Sequence, residues 1–429
     1  MNYTVSLRIF TLTGLRRPGK IFPMLNMASC SSPGNQYSNA KQILSVIRKE
    51  KQIPIQSEKM KRGSQVKILS YNILAQTLLE RHTELYTGSN QMYLNWKFRK
   101  QLLYQELRDS NADFFCLQEV EETILGDLAK YLETYGYKYL YKKRTSFNVD
   151  GCAIFYMEKK FSLCSYSCLE YFKPNVKQLD RHNVGIVATF CVSNTNKELV
   201  VATTHILFNQ RRHDIKLMQI QMLLTEVDCQ AFISENNFRP VVITGDFNFN
   251  ETSPVYKFIT EGHLDLNCVD KRSLLPLDED DTRYHLNARD MLPPALGITD
   301  KSSYVKEFEK RNHLNRLYLR NEELVEEGTN QIIENMFLSK QLSHSLDLHN
   351  VFETECGQVA STYHDDWVFV DFIFYNRDNK CPIQCENKLQ LVSYKPLPTP
   401  EQCEEYICSM PNEFCPSDHL PVVATFLIL

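Results

Sequence analysis

Several polar residues stand at the ends of apolar segments, and their types suit the hydrolysis of a phosphoester. They are Asn72 in SYN, Glu119 in LQEV, His205 in TH, Asp246 and Asn248 in GDFN, Asp371 in VDFIFY, and Asp418 and His419 in SDHLP. Carboxylate and amide oxygens are the ligands that Mg²⁺ prefers in proteins, together with substrate phosphate and water. Such ligands beside a histidine favour metal-assisted chemistry on a phosphate group.

The residue types predict a division of roles. Asn and Asp at strand ends often only make turns, but an unpaired carboxylate inside an apolar strand is costly, which points to function for Glu119 and Asp371. We expect the metal ligands to be Glu119, Asn72 and Asp418, with Mg²⁺ as the ion and Mn²⁺ as a substitute. His419 with Asp371 would hold an imidazolium beside phosphate. Asp246 with Asn248 would orient and deprotonate a water molecule.

The elements that must position these residues are short apolar strands alternating with helices. Ten segments have strand character: 66–72, 112–120, 136–144, 150–157, 184–192, 198–207, 239–248, 368–376, 389–397 and 420–429. Helices are predicted over Trp96–Ser110, Thr123–Tyr135 and Arg212–Glu235, and after Ser253-Pro254. Nearly continuous apolar strands are typical of sheets covered on both faces. The pattern predicts an α/β sandwich of two sheets layered with helices.

Two regions depart from this pattern. Residues 1–49 contain no Asp or Glu but several Arg and Lys, which is typical of either an organelle transit peptide or a disordered basic tail. Residues 50–65 have linker composition, so the predicted catalytic domain is 66–429. Residues 268–357 carry few apolar residues, and we interpret them as a partly helical surface insertion that offers a site for a protein partner.

Composition excludes several classes of protein. The 48 Lys and Arg against 52 Asp and Glu give a net charge of −4, so bulk charge does not attract nucleic acid. No apolar run approaches the length of a membrane-spanning helix. The 14 cysteines lack zinc-site spacing, and Cys191 and others lie singly in apolar segments, so we expect free thiols in a reducing compartment. Cytoplasm or nucleus is the predicted location, with the mitochondrion as the alternative suggested by the N-terminal composition.

The six blocks, in this order, resemble the endonuclease/exonuclease/phosphatase superfamily over about residues 66–429. Within it the chain is most similar to the deadenylase-like branch that contains the Angel proteins. The segments that carry this likeness are SYNILAQTLLE (70–80), RHNVG (181–185), THILFNQRRHDIKLMQ (204–219) and LPPALGI (292–298). The resemblance implies a four-layer α/β sandwich, the roles given above, and a phosphate-facing His205.

The resemblance also implies a substrate, RNA 3′ ends, from which Angel-like enzymes remove 2′,3′-cyclic phosphate. Alternatives are a 3′→5′ exoribonuclease that shortens poly(A), a phosphatase of small metabolites, and a non-catalytic adaptor; DNA is not expected as a partner. Arg211 and Arg212 are candidates to hold a terminal phosphate. Asn209 and Trp367 are further candidates for substrate contact, Trp367 because related deadenylases clamp adenine with an aromatic residue in this region.

Overall fold

The computed structural model describes residues 33–176, 179–209, 212–234, 237–266, 292, 294–311, 339–363, 366–377 and 389–429. The chain divides into two compact units, Met1–Asn39 and Ala40–Leu429. Of the first unit, residues 33–39 are described and lie in a helix. The second unit contains every strand given below. No helix among the described residues has the length and apolar character needed to cross a membrane.

Two large sheets form the centre of the second unit. In chain order the strands of the described residues are β1 (Lys51–Gln52), β2 (Ser64–Asn72), β3 (Phe114–Glu121), β4 (Tyr137–Lys143), β5 (Asp150–Met157), β6 (Phe161–Glu170), β7 (Val184–Val192), β8 (Glu198–His205), β9 (Phe232–Ser234), β10 (Asn237–Phe238), β11 (Val241–Asp246), β12 (His263–Asp265), β13 (Gln341–Ser343), β14 (Leu348–Asn350), β15 (Thr362–Tyr363), β16 (Trp367–Val368), β17 (Asp371–Asn376), β18 (Leu389–Tyr394) and β19 (Val422–Ile428). The first sheet has the order β1-β18-β19-β2-β3-β5-β4, and the second has the order β14-β17-β11-β8-β7-β6. In each sheet one central pair is parallel, β2 with β3 and β8 with β11.

The two sheets pack face to face through aromatic and aliphatic side chains. Phe114 of the first sheet lies edge-on to Phe190 of the second, with ring centroids 4.9 Å apart. Gln118 donates to the hydroxyl of Thr203 across the same interface at 2.9 Å. Alternate residues of each strand therefore fill the inter-sheet core, as in other sandwiches.

The described residues also form ten α-helices. They are α1 (Pro33–Ile47), α2 (Ser57–Arg62), α3 (Gln76–Arg81), α4 (Gln91–Leu94), α5 (Trp96–Ser110), α6 (Glu122–Glu133), α7 (His213–Ala231), α8 (Pro254–Glu261), α9 (Val305–Arg311) and α10 (Pro400–Tyr406). Leu103 and Leu107 of α5 are buried against the first sheet, and Ile220 and Leu224 of α7 pack in the core cluster of the second. Ser253 caps α8 by accepting from the amide of Val255. The predicted four-layer α/β sandwich is confirmed.

The N-terminal boundary of the folded unit lies earlier than the sequence predicted. Residues 50–65 were expected to be a linker, but Lys51–Gln52 adds an edge strand to the first sheet by pairing with β18. Glu50 accepts from the hydroxyl of Ser393, and Lys51 pairs with Glu355 at 3.3 Å. Residues 1–32 of the predicted leader lie outside the described residues, and the role of the leader stays a prediction.

The predicted surface insertion, residues 268–357, is partly core. Leu348–Asn350 forms the edge strand of the second sheet, and Phe352 is fully buried. The interpretation as a surface insertion is therefore wrong for this stretch, because pairing with β17 determines its place. Residues 267–291 and 312–338 lie outside the described residues, and nothing tests the partner predicted for the insertion.

The expectation of free thiols fails at one pair of cysteines. Cys164 of β6 and Cys191 of β7 form a disulfide with Cα atoms 6.3 Å apart. These strands are antiparallel neighbours, and a bulge between Leu163 and Ser165 places Cys164 beside Cys191. The pairing depends on strand register, which the cysteine spacing does not encode. Cys116 and Cys152 are buried free thiols, as expected.

Candidate active site

The polar strand ends meet at one end of the two sheets. In the first sheet, β2 is parallel to β3, so Asn72 lies opposite Gln118 and next to Glu119. In the second sheet, Asp246 is paired in register with His205 of β8 and with Asp371 of β17. The site therefore lies where the two layers face each other, at the strand ends that open onto loops.

Asn72 joins the two sheets. Its side-chain amide donates to Oε1 of Glu119 and to Oδ2 of Asp246, both at 3.0 Å, while its Oδ1 accepts from the amide of Leu74 at 3.1 Å. In this arrangement Asn72 orients two carboxylates, and its own oxygen is engaged by the backbone. The direct metal-ligand role predicted for Asn72 stays a prediction.

Glu119 is held by an irregular backbone. The register of β3 shifts between Leu117 and Val120, and Glu119 has a φ of 57°, a conformation that costs a non-glycine residue free energy. Its Oε2 accepts from the amide of Ala75 at 2.9 Å. Burial raises the pKa of Glu119, His205 opposes that shift, and the carboxylate of Asp418 adds to it. The bulge thus aims a half-buried carboxylate into the site.

His419 and Asp371 form a buried pair. Nδ1 of His419 donates to Oδ2 of Asp371 at 2.8 Å, and the same oxygen accepts from the hydroxyl of Ser361 at 2.6 Å. Burial alone would lower the pKa of His419, but the charges of Asp371 and Asp246 outweigh it and raise that pKa well above its ordinary value. The two carboxylates thus favour the protonated form of the ring, the imidazolium.

The carboxylate of Asp246 lies close to His205, to His419 and to the loop that follows β11. Its Oδ2 is 3.5 Å from Nε2 of His205 and 3.7 Å from Nε2 of His419. Its Oδ1 accepts from the amide of Asn248 at 3.1 Å, and the Asn248 side chain donates to the Ile206 carbonyl at 3.2 Å. Asn248 has a φ of 51°, so this loop too is held away from the usual backbone regions. The predicted pair of Asp246 and Asn248 is thus assembled beside both histidines.

Gly245 permits the close approach of β11 to β8. A Cβ atom at this position would lie 2.2 Å from the carbonyl oxygen of Thr204, which no side chain tolerates. Any other residue would push apart the two strands that carry Asp246 and His205.

Asp418 and its neighbour Ser417 are held by three separate segments of the chain. Its Oδ2 accepts from the hydroxyl of Tyr86 at 2.8 Å, and its backbone carbonyl accepts from Thr362 at 2.7 Å. The preceding Ser417 donates to the Asn72 carbonyl at 2.6 Å. Burial, together with the charge of Asp418, raises the pKa of Tyr86, so this phenol stays a hydrogen-bond donor.

The donor set fits a hard divalent cation. Glu119 and Asp246 lie within hydrogen-bonding distance of one amide nitrogen, and Asp418 is close enough to raise the pKa of Glu119. Carboxylates buried so close together repel one another unless a cation compensates them. Asp246, Asp371 and His419 also offer ligand atoms within 4.8 Å of one another, but the His419 ring already binds Asp371. Oxygen ligands without a thiolate suit Mg²⁺ or Mn²⁺.

The residues predicted to contact substrate differ in how accessible the structure leaves them. Arg212 binds Asp214 through two hydrogen bonds of 2.9 and 2.8 Å, so its guanidinium is engaged within its own helix start. Asn209 is exposed, and Arg211 lies outside the described residues. Trp367 is buried, whereas Tyr363, which meets it edge-on at 5.2 Å, is 45% exposed. Of the two rings described here, that of Tyr363 is therefore the exposed one.

Three buried residues escape sequence reasoning. Arg99 of α5 donates to the carbonyls of Ile73, Leu74 and Pro416 and so ties two site loops together. Ser361 holds Asp371, and Lys216 of α7 donates to the carbonyl of Asn248. A lysine or arginine in a helix pattern is normally assigned to solvent, so no sequence signal distinguishes these two from surface residues. The segment 204–219 was identified, but not the role of Lys216 within it.

The known proteins that are similar to this chain belong to one family. The model of the Endonuclease/Exonuclease/phosphatase family matches residues 69–419. Human protein angel homolog 2 is 33% identical over 380 residues, which cover 84% of this chain and 68% of the relative. The zebrafish (Danio rerio) homolog is 31% identical over 381 residues, which cover 84% of this chain and 63% of that protein.

Solved structures agree with the sequence relatives. A crystal structure of ANGEL2, described as a 2′,3′-cyclic phosphatase, has a TM-score of 0.69 and 32% identity and covers 85% of this chain and 96% of its own. A second structure, of ANGEL2 with adenosine-2′,3′-vanadate, has a TM-score of 0.70 and 31% identity and covers 89% and 99%. The fold and its family are thus fixed over most of the chain.

Proposed function

The chain belongs to the endonuclease/exonuclease/phosphatase family, and from this premise we propose that it hydrolyses 2′,3′-cyclic phosphate at RNA 3′ ends. The observation that carries the proposal is the joint arrangement of Glu119, Asp246 and a buried His419–Asp371 pair. Its likeness to ANGEL2, a named 2′,3′-cyclic phosphatase, supports the choice of substrate.

The reaction needs two hydrolytic steps. In the first, water attacks phosphorus and one of the two ring P–O bonds breaks, which leaves a phosphomonoester on one hydroxyl. In the second, another water molecule releases inorganic phosphate and leaves both hydroxyls free. Each step needs a base for water, donors for the phosphoryl oxygens and a proton for the departing oxygen.

The residues of this chain divide these tasks. Asp246, held by Asn72 and the Asn248 amide, is placed to orient and deprotonate water. The imidazolium of His419 stabilises negative charge on phosphate and the departing oxygen. Nδ1 of His205 has no hydrogen-bond partner among the described residues, so this ring can also turn to a phosphate oxygen. Glu119 and Asp418 would hold Mg²⁺, or Mn²⁺ in its place, which when bound neutralises phosphate charge.

A shortening activity on poly(A) is the second candidate, favoured by the exposed ring of Tyr363 on the hairpin next to His419. Such a ring can stack on a base. The two candidates share the site but differ in which bond breaks, so products distinguish them.

Four RNAs of one length test the proposal in Mg²⁺. Their ends are a 2′,3′-cyclic phosphate, a 3′-phosphate, a 3′-hydroxyl A-tail and a 3′-hydroxyl mixed sequence, and products are weighed by mass spectrometry. We expect loss of the phosphate with unchanged chain length. Stepwise shortening of the A-tail, with the cyclic end intact, would establish the exoribonuclease instead.

A further inference from the structure

Lys216 is a fully buried lysine at the first turn of α7. Its ammonium donates to the carbonyl oxygen of Asn248, the last residue of the GDFN segment. Burial of an ammonium group is costly, and here it lowers the pKa of Lys216 to about 8, with the charge of Asp246 opposing the shift. An apolar side chain of similar length would avoid this cost, so stability alone gives no reason for a lysine here.

The hydrogen bond acts on a strained part of the site. Asn248 has a φ of 51°, and its amide and side chain bind Asp246 and the Ile206 carbonyl. Its remaining backbone group, the carbonyl, is the one that Lys216 holds. The lysine thus completes the fixation of a residue whose conformation local preference opposes.

The positive charge of Lys216 also changes the net charge of the site. Glu119, Asp246, Asp371 and Asp418 bring four carboxylates to one end of the sheets, and the His419 imidazolium compensates only part of their charge. Before a cation binds, these carboxylates repel a phosphate anion that enters the region. In a buried site a fixed ammonium group offsets that repulsion more effectively than it would in water.

We propose that Lys216 is a positioning residue for phosphoester hydrolysis, which fixes Asn248 beside Asp246 and offsets the carboxylate charge when an anionic phosphate binds. This inference rests on the proposed function. It assigns Lys216 two separable effects, one through the hydrogen bond and one through the charge.

Lys216→Met separates a functional role from a structural one. Because the buried ammonium group is costly, the variant is expected to keep or raise the wild-type melting temperature. Its kcat on RNA with a 2′,3′-cyclic phosphate should nevertheless fall about 10- to 100-fold, the range for a lost hydrogen bond from a charged donor. A lysine with a merely structural role would lose stability and activity together.

The same helix offers a matched control. Gln221 is as buried as Lys216 and also donates to a backbone carbonyl, that of Thr299 at 3.1 Å, away from the site residues. Gln221→Met should leave kcat within about twofold of wild type. Lys216→Gln keeps a donor without the charge, so it should recover part of kcat but none of the affinity for inorganic phosphate.

Inorganic phosphate binding, measured by calorimetry, makes the outcomes distinguishable. Weaker phosphate binding in Lys216→Met and Lys216→Gln, with Lys216→Arg closer to wild type, supports the inference. Wild-type kcat and phosphate affinity in Lys216→Met would overturn it, as would a kinetic loss equal to that of Gln221→Met. If Lys216→Met does not fold, the phosphate affinities of Lys216→Gln and Lys216→Arg decide whether the charge at this position contributes. A wild-type protein inactive on cyclic-phosphate RNA would refute the proposed function, while phosphate binding would still test Lys216.

Discussion

At the scale of single residues, the His419–Asp371 pair sets the charge of the site. Both side chains are almost fully buried, and the two carboxylates that face the histidine raise its pKa and so favour its charged form. A buried ion pair contributes little net stability, since desolvation offsets its attraction. The pair instead favours a protonated His419 ring next to the place where phosphate would bind.

Titration of His419 tests this directly. In the metal-free protein, the NMR signal of its ring should titrate well above the ordinary histidine pKa, and in Asp371→Asn it should titrate at lower pH because one compensating charge is gone. A raised pKa stabilises the fold fully below the unfolded value, and that contribution is lost as pH rises through the folded value. A wild-type ring that titrates at its ordinary pKa would refute the charged pair.

Residue types alone singled out most of the side chains that the structure brings together here, because carboxylates in apolar strands have few structural explanations. They did not predict which way a side chain points. Asn72 turns its amide nitrogen, not its oxygen, towards Glu119, and Arg212 binds Asp214 instead of facing a substrate. Arg99 and Lys216 were missed because burial of a helical cation depends on what packs over the helix.

At the scale of elements, the segment before the first long strand supports the site loop. The guanidinium of Arg48 is buried and donates to the carbonyl of Pro421, two residues after His419. Lys51–Gln52 extends the first sheet by pairing with β18. The composition predicted a leader over residues 1–49 and a linker over residues 50–65, since a two-residue edge strand leaves no periodic signal.

Two truncations test this support. A chain that begins at residue 40 keeps the whole second unit and should retain wild-type activity and melting temperature. A chain that begins at residue 57 loses Arg48 and β1, so we expect a lower melting temperature and at least about tenfold lower activity on cyclic-phosphate RNA. Equal activity in both chains would show that the segment does not position the loop.

The strands and long helices were predictable for a physical reason. Segments buried on both faces are apolar throughout, and α5 begins and ends where the sequence predicted, at Trp96 and Ser110. Strand β6 was missed because it lies at the sheet edge and exposes most of its side chains. Leu348–Asn350 was missed because three residues become a strand only through pairing with β17.

At the scale of the whole molecule, α7 connects the site to the residues that follow β12. Tyr304 donates to Glu226 of α7 at 2.9 Å, and Arg311 pairs with Asp228 at 2.7 Å. The outer face of α7 is therefore covered, which explains why its polar side chains are buried. Leu292 and Ile298 of the Angel-like segment belong to the same buried cluster as Ile220 and Leu224 of α7, so these two residues have a structural role.

Metal removal is a test at this scale. Dialysis against EDTA should abolish hydrolysis of the cyclic phosphate, and Mg²⁺ or Mn²⁺ should restore it. Because the crowded carboxylates of Glu119, Asp246 and Asp418 repel one another without a cation, Mg²⁺ should also raise the melting temperature. Glu119→Gln should weaken both the recovery of hydrolysis and the rise in melting temperature when Mg²⁺ is added. Full activity after exhaustive chelation would contradict the proposed metal.

The most direct measurement compares the wild-type protein with Asp246→Asn on one RNA that ends in 2′,3′-cyclic phosphate, in Mg²⁺, with products weighed. We expect the wild-type protein to release inorganic phosphate and to leave a chain of unchanged length with free hydroxyls. Asp246→Asn, folded as judged by its melting curve, should be slower by at least about two orders of magnitude. Equal rates in the two proteins, or products shortened by whole nucleotides, would contradict the proposed function and the role of Asp246.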